Sequence, residues 1–473
     1  MRIVNIRFRY GLLLFLAAVV CTATLAASQQ SDRLNRDFQA AVAQYDAGHL
    51  PEAAAQLEKL VREVPENFEV QELLGLIYSE QSQDALANQH LQAAVRLRPA
   101  SALARTNLAA YLVRLGKLDD AQGQLTRALK LEPRNYDANH NLGEVYLRMG
   151  KIPDAVPYLR AAQQIKPAAY DNGFDLAMAY LATNKLSAGR GVVRSLLQAK
   201  DTAELHNLLA QIEEKDGNYV VAVNEFEAAA HQEASETNLF DWGSELLLHR
   251  TLEPAIEVFR KAAERYPNSP RIAIGLGIAL YSRGNYDEAL QSLLHSADLS
   301  PTDPRCYFFL SKAYDSSPNQ ADQVIERFRR FSQLQPENAR AYYYYAMSLW
   351  KGKRAQDPEL DRRQIEILLQ KAIALDPKLA DAHLQLGNLF SDQARYVDAI
   401  PQYEAAIASN PELADAHYRL GQSFVHTSAK DKAQEQFEVY QKLRSAHLAE
   451  LDKQIAEIRQ FVYSEKQDSG AMP

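Results

Sequence analysis

The sequence predicts an all-α fold made of a repeated pair of helices. The first observation is a fixed period, because closing prolines recur 34 residues apart in three stretches: Pro65, Pro99, Pro133 and Pro167; Pro267 and Pro301; Pro377 and Pro411. A period of this length is typical of a solenoid of stacked helix pairs. The second observation is composition: the chain is 47% hydrophobic and 24% charged, which is typical of a folded protein.

The first helix of each unit carries a leucine followed by a glycine or alanine. A small side chain at this place lets two helix axes approach closely. The pair recurs at Leu74-Gly75, Leu108-Ala109, Leu142-Gly143, Leu209-Ala210, Leu276-Gly277, Leu386-Gly387 and Leu420-Gly421. A glycine then marks the turn to the second helix in five units, at Gly48, Gly116, Gly150, Gly217 and Gly284.

The second helix of each unit carries an alanine near its start and a large apolar residue four positions later. This spacing places both side chains on one helix face. The pairs are Ala53 and Leu57, Ala121 and Leu125, Ala155 and Leu159, Ala222 and Phe226, Ala255 and Phe259, Ala289 and Leu293, Ala399 and Tyr403, and Ala433 and Phe437. The proline that follows ends the helix, because it has no N–H to continue the hydrogen-bond ladder.

These motifs in phase resemble the tetratricopeptide repeat family. The resemblance implies a right-handed superhelical solenoid of antiparallel helix pairs, with the first helix of each repeat lining a concave face. It also implies that partners on this face are extended peptides or short helices. One device of the family is a ladder of asparagines that grips a peptide backbone, and Asn107 and Asn141 match its position.

The repeats occupy most of the chain. We predict about twelve of them in residues 34–445, with irregular units at 170–202, 304–338 and 339–379; the last contains seven extra residues between its helices, around 351–361. Residues 446–466 are amphipathic and predict a helix that caps the open end of the array. Residues 467–473 are predicted to be disordered.

The first 27 residues differ from the rest. Arg2, Arg7 and Arg9 precede an apolar run and then small residues, which is the pattern of a secretory signal peptide cleaved after Ala26 or Ala27. Residues 28–33 would then be a linker. An uncleaved N-terminal anchor is the alternative, because the apolar run is at the short limit for crossing a bilayer. Either way we expect a periplasmic or secreted body, with no membrane insertion beyond this segment.

Composition and motifs exclude several classes of function. The net charge of −8 and the lack of clustered Lys and Arg argue against nucleic acid as a partner. No catalytic motif, metal-ligand spacing or cofactor fingerprint is found, so we expect no enzyme, no metal and no cofactor. His383 and His417 occupy equivalent places in adjacent repeats, which favours packing or hydrogen bonding over a shared metal. Cys306 reads as a buried apolar residue.

The run of four tyrosines at 342–345 predicts the candidate binding site. In repeat phase, Tyr342, Tyr345 and Leu349 share the core stripe, and Tyr344 is expected to be partly exposed. Tyr343, Met347 and Trp350 share a second stripe, which the family resemblance places on the concave face. Equivalent positions in the two preceding repeats are also apolar: Ile274, Ile278, Tyr281 and Phe308. Packing of the same side chains within the chain is the alternative.

The sequence therefore predicts a non-catalytic exported scaffold that binds a protein or peptide on its concave face. The family resemblance suggests roles in cell-envelope assembly, secretion or polysaccharide export. A structural, self-assembling module is the main alternative, and an enzyme is a weaker one. The sequence does not identify the partner or the oligomeric state.

Overall fold

The computed structural model describes residues 24–317, 319–352, 358–445, 456–462 and residue 464. Throughout these ranges the regular structure is α-helical and no β-strand occurs, as the sequence predicts. The helices form two compact units, Met1–Asp201 and Thr202–Pro473. Within each unit, successive helices pack as antiparallel pairs joined by short turns.

The first unit contains five helix pairs in its described residues. Their bounds are α1 (Thr24–Asp46), α2 (Leu50–Glu63), α3 (Phe68–Glu80), α4 (Asp84–Leu97), α5 (Ala102–Arg114), α6 (Leu118–Leu131), α7 (Tyr136–Arg148), α8 (Ile152–Ile165), α9 (Tyr170–Ala182) and α10 (Leu186–Ala199). Its main apolar cluster runs from Ala41 to Val145 and is filled by the leucines and alanines of both helix types.

In its described residues the second unit contains seven pairs and one further helical segment. The pairs are α11 (Ala203–Lys215), α12 (Tyr219–Gln232), α13 (Glu236–Leu248), α14 (Leu252–Arg265), α15 (Pro270–Arg283), α16 (Tyr286–Leu299), α17 (Pro304–Ser316), α18 (Ala321–Leu334), α19 (Ala339–Lys351), α20 (Pro358–Leu375), α21 (Ala380–Asp392), α22 (Tyr396–Ser409), α23 (Ala414–His426) and α24 (Lys430–Ser445). Residues 456–462 and Ser464 are also helical, and we call them the tail segment.

The first helix of most pairs begins at a side-chain cap. Asn67 Oδ1, for example, accepts a hydrogen bond from the backbone N–H of Val70 at 2.9 Å. Such a cap satisfies one of the N–H groups that have no partner within the helix. The residues that cap in this way are Asn67, Ser101, Asn135, Thr202, Ser235, Ser269, Asp303 and Asn338.

The turn inside eleven of the twelve pairs uses one residue in the left-handed region; the turn between α19 and α20 includes residues outside the described ones. The five turn glycines have φ between 70° and 96°. Six other turns reach the same conformation with a side chain present, at Ser82, Asn184, Arg250, Gln320, Ala394 and Ser428. The turn geometry is therefore set by the repeat, and glycine is only the least strained residue for it.

The small residue that follows the recurring leucine of the first helix has the role predicted from the sequence. A Cβ built on Gly277 would lie 2.5 Å from Leu293 Cγ, and one on Gly75 would lie 2.6 Å from Leu91 Cγ. Real Cβ atoms do not approach other carbons so closely. The absent side chain is what lets the second helix pack directly on the first.

Two segments differ from the predicted boundaries. Residues 28–33, predicted as a linker, lie within α1. In the tenth repeat α20 has 18 residues where α18 and α22 have 14, so part of the predicted insertion lengthens a helix; residues 353–357 lie outside the described residues. Residues 1–23 of the predicted signal peptide and 467–473 of the predicted disordered end also lie outside them.

The predicted end cap requires a correction. Residues 446–455 lie outside the described residues, but Phe461 and Val462 join the apolar cluster of α13, α15 and α17. The tail segment therefore lies on repeats seven to nine and does not cover α24 at the end of the array. The physical reason is its apolar stripe, which finds a larger apolar surface there than a terminal helix would offer.

Candidate functional site

In the second unit, the first helices of successive pairs pack side by side, with α13 against α15, α15 against α17 and α17 against α19. We call the surface that α13, α15, α17 and α19 share the first-helix face. Phe240, Ile278 and Phe309 come from three of these helices, are buried, and belong to one apolar cluster. An apolar surface that continues across several repeats is typical of a face that packs against another element.

The tail segment packs on this face. The ring of Phe461 meets the ring of Phe240 edge to face, with centroids 6.1 Å apart, and meets Phe309 in the same manner at 5.9 Å. Phe461 is 3% exposed and Val462 is fully buried, while Ile458 is half-buried against the same cluster. Edge-to-face pairs at these distances are the favourable arrangement for aromatic rings.

Polar contacts lie at the two ends of the tail segment. Lys312 Nζ on α17 lies 3.4 Å from Glu457 Oε1, an ion pair whose two side chains are less than one-third exposed. At the other end, Arg305 Nη1 donates to Ser464 Oγ at 3.5 Å, a long hydrogen bond. The guanidinium of Arg305 is held in place by Asp303, 2.8 Å away. Basic residues of α17 thus flank the apolar contact.

Two ionisable side chains near the tail segment, Tyr281 and His249, favour their neutral forms. Burial raises the pKa of the Tyr281 hydroxyl, and the charge of Glu457 adds to the rise. Burial lowers the pKa of the His249 imidazole, and the positive charge of Arg459 on the tail segment lowers it further, while Glu214 opposes the shift. Lys312 and Arg305 are the charged groups of α17 that pair with the tail segment.

Comparison with known families identifies the repeat. A tetratricopeptide repeat model matches residues 38–102, 106–170, 240–304 and 368–447, and a second such model matches residues 147–212. These matches cover more than half of the chain. The chain belongs to the tetratricopeptide repeat family.

Individual relatives of this tetratricopeptide repeat chain are distant. The human protein O-mannosyl-transferase TMTC1 is 24% identical over 152 residues, which is 32% of this chain, and the match spans only 17% of that protein. Solved structures with similar helices include yeast Tom70 (16% identity, 83% of this chain and 96% of that one, TM-score 0.36) and the APC/C hetero-tetramer Cut9-Hcn1 (15%, 89% and 96%, 0.37). Neither TM-score reaches 0.5, and nothing about function follows from them.

The predicted site residues of repeats eight to ten fall into two groups. Ile274 and Ile278 are fully buried within the apolar cluster that includes Phe461. The other five are half-buried: Tyr281, Phe308, Tyr343, Met347 and Trp350. All of these except Met347 pack against the second unit's apolar clusters. The stripe of α19 is therefore accessible in part, whereas Ile274 and Ile278 of α15 are interior.

The burial of three of the four tyrosines differs from the prediction. Tyr344, expected to be partly exposed, is buried, with its ring 5.6 Å from that of Phe328 on α18. Tyr342 and Tyr345, assigned to the core stripe, are half-buried. The core stripe is shifted by one residue, to Ala341, Tyr344 and Ser348, and Tyr344 packs against Phe328 of the preceding repeat.

The two predicted asparagines lie in the first unit. Asn107 is buried, and its Nδ2 donates to Glu72 Oε1 at 3.0 Å, which joins α5 to α3. Burial raises the pKa of Glu72 to about 7, and the hydrogen bond from Asn107 only partly opposes the shift. Asn141 is half-buried on α7. Asn107 is thus engaged within the repeat, while Asn141 is accessible in part.

The candidate ligands for metal chemistry have structural roles. Nδ1 of His383 lies 2.9 Å from Gln402 Oε1, and its Nε2 lies 3.1 Å from the Pro377 carbonyl oxygen. His417 repeats both contacts with Gln436 and Pro411. This confirms the predicted hydrogen-bonding role. In the part of the chain that the structure describes, no group of three or more His, Cys, Asp or Glu could hold a metal ion; Cys306 is buried.

Sequence reasoning missed the residues that hold the tail segment, namely Phe240, Phe309, Lys312 and Phe461. A signal was present, because Ile458, Phe461 and Val462 follow the i, i+3, i+4 spacing of an apolar helix stripe. That stripe was interpreted as the inner side of an end cap. A cap and a docked helix have the same pattern, so the pattern alone could not distinguish them.

Proposed function

We propose that this tetratricopeptide repeat chain is a non-catalytic scaffold that binds a protein or peptide partner on the first-helix face of its second unit. The observation that carries the proposal is the tail segment, a helical polypeptide already packed on that face. Phe240 and Phe309 receive its Phe461, and Lys312 pairs with its Glu457. A face that packs a helix of its own chain has the polarity and spacing to pack one from a partner.

The uncovered part of the proposed site is the stripe of α19. Tyr343, Met347 and Trp350 are half-buried, and the exposed Lys351 follows them. Large rings with few rotatable bonds and a polar rim are typical of binding hot spots. We therefore assign these three side chains to the partner contact, beside the surface that the tail segment covers.

We place this scaffold outside the cytoplasm, in cell-envelope assembly, secretion or polysaccharide export. The support is the signal-peptide pattern of residues 1–27. In the described residues, the helices are all too short or too polar to cross a membrane. Cell fractionation followed by intact-mass measurement tests the assignment: a chain outside the cytoplasm that begins at residue 27 or 28 supports export, and one that retains residues 1–27 in the cytoplasm contradicts it.

Site-specific photo-cross-linking tests the partner proposal. A photoreactive phenylalanine analogue replaces Met347 on α19 or, as a control, Val397 on α22, which is 75% exposed. We expect a discrete adduct with an envelope protein from position 347 and none from position 397. Equal adducts from both positions, or none from either, would contradict a binding face on the first helices.

Replacement of Trp350 then separates binding from packing. Trp350→Ala is expected to lower the affinity for the partner identified by cross-linking by about thirtyfold, which corresponds to about 2 kcal/mol of binding free energy. A matched change, Tyr418→Ala, removes a 37% exposed aromatic ring from α23, outside the proposed site. A Trp350→Ala protein that loses thermal stability but keeps full affinity would show that the ring packs the joint between repeats.

A further inference from the structure

The tail segment has two unlike sides. Phe461 and Val462 are buried, and Ile458 is half-buried against the same cluster, whereas Arg459 and Gln460 are exposed. The three apolar residues follow the i, i+3, i+4 spacing and therefore lie on one side of a helix. The segment thus packs on the first-helix face as an amphipathic helix, with its apolar side inward.

Charge sets the position of the segment on the face. Glu457 precedes the apolar stripe and pairs with Lys312, and Ser464 follows the stripe and meets Arg305. Lys312 also lies 5.4 Å from the ring centre of Phe308. The ring limits the directions in which the ammonium group can point. An acidic group at the Glu457 position is therefore the feature that complements this face.

In the part of the chain that the structure describes, the contact includes three apolar side chains and two polar pairs. The covalent connection of the segment favours this contact further, because a tethered ligand acts at an effective concentration near the millimolar range. A longer helix from another protein, with the same pattern and further turns that reach α19, would make additional contacts.

From these observations we infer that the first-helix face takes an amphipathic helix with apolar residues at i, i+3 and i+4 and an acidic residue directly before the first of them. The tail segment occupies the same place and competes with the partner helix, so the free chain is self-inhibited. This inference rests on the proposed function and specifies the partner and regulation of its site.

A peptide of the chain's own sequence provides the probe. A fluorescent peptide of residues 452–466 (DKQIAEIRQFVYSEK) is titrated with the full-length protein and with its Phe461→Ala variant. Because the variant frees the face while the fold of the repeats remains, we expect the peptide to bind it more tightly than the wild type, by about tenfold or more. Circular dichroism and thermal melting of both proteins check that the repeats stay folded.

A charge exchange tests the binding mode. In the Phe461→Ala background, Lys312→Glu should lower the affinity for the peptide about fivefold or more. A peptide with Glu457→Lys should restore binding to the Lys312→Glu variant. The matched control is Lys261→Glu on α14, an exposed lysine outside the face. This change should leave the affinity for the peptide unaltered. Restoration by the exchanged pair requires direct contact, so a merely unfolded variant cannot mimic it.

Three results would overturn the inference. Equal peptide affinity for wild type and Phe461→Ala would show that the tail segment does not compete. Failure of the exchanged charges to restore binding would show a different docking mode. A wild-type dimer that dissociates on Phe461→Ala would place the segment on a second copy. The proposed function fails separately: it falls if position 347 captures no partner even in the Phe461→Ala protein, where the tail segment no longer competes, whatever the peptide does.

Discussion

The first helices of the two units bury different chemistry. In the first unit, polar side chains pair across neighbouring first helices: Asn107 donates to Glu72, and His140 lies 3.1 Å from Asn172 Oδ1. In the second unit such pairs also occur, since Asn207 donates to Asp241 at 2.9 Å and Arg271 to Glu236 at 2.6 Å. There, however, Phe240, Ile278 and Phe309 add a continuous apolar surface, which the tail segment covers. The first helices thus carry polar pairs in both units and this apolar surface in the second.

This difference teaches how one repeat architecture separates structure from binding. A polar pair between adjacent helices satisfies its own hydrogen bonds and leaves little reason for another chain to bind. An apolar surface gains free energy only when something covers it. The second unit is therefore the region where a partner is expected, and the tail segment is its cover in the free chain.

The largest expected effect comes from Phe240. Its ring is fully buried and touches the rings of both Phe259 and Phe461. Phe240→Ala should lower the free energy of unfolding by about 3–5 kcal/mol, because it removes the packing and leaves a cavity. Urea denaturation followed by circular dichroism measures this, and the half-buried Phe308→Ala is the control. If both variants lose the same stability, the two positions do not differ in packing as described.

Glu72 offers a test of the polar region. Its side chain is fully buried, Oε1 accepts from Asn107, and the pKa is raised to about 7 by burial. Glu72→Gln keeps an acceptor for Asn107 and removes the buried charge. We expect it to stabilise the protein at pH 8 by on the order of 2 kcal/mol.

The sign of the pH dependence follows from the raised pKa. Folded protein holds the proton of Glu72 up to about pH 7, whereas the unfolded chain releases it near 4.5. The contribution of this group is fully present below pH 4.5 and is lost as the pH rises through 7. Melting temperatures of wild type and Glu72→Gln should therefore coincide near pH 4.5 and separate by pH 8. A constant difference at all pH values would show that Glu72 does not titrate in this range.

Much of the fold could be predicted because the 34-residue period of the repeat is visible in the sequence. The closing prolines, Leu-Gly pairs and alanines each serve a local need, so each leaves a local signal. The position of the tail segment left none, because residues far apart in the chain, such as Phe240 and Phe461, meet only in the folded unit. Nor could the sequence show that Tyr344 packs against Phe328 of the preceding repeat, because the run of four tyrosines does not indicate which of them faces inward.

The smallest expected effect concerns the turns, which both units share. Arg250 has a φ of 57°, a conformation that strains a residue with a Cβ. Arg250→Gly should raise stability by about 0.5–1 kcal/mol, because relief of strain exceeds the added freedom of the unfolded chain. Gly284→Ala is the reverse change, and it should lower stability by about 1 kcal/mol, since no atom lies within 4 Å of the new Cβ and only the backbone is strained.

Hydrogen exchange of the tail segment tests the central claim most directly. If residues 456–462 pack on the first-helix face, their backbone amides should exchange about tenfold or more slowly in the full-length wild type than in Phe461→Ala, as followed by mass spectrometry. The peptide that covers Leu142 and Val145 in the first unit, both fully buried, should exchange alike in the two proteins. Amides of 456–462 that exchange at the rate of an unstructured peptide in the wild type would contradict the account.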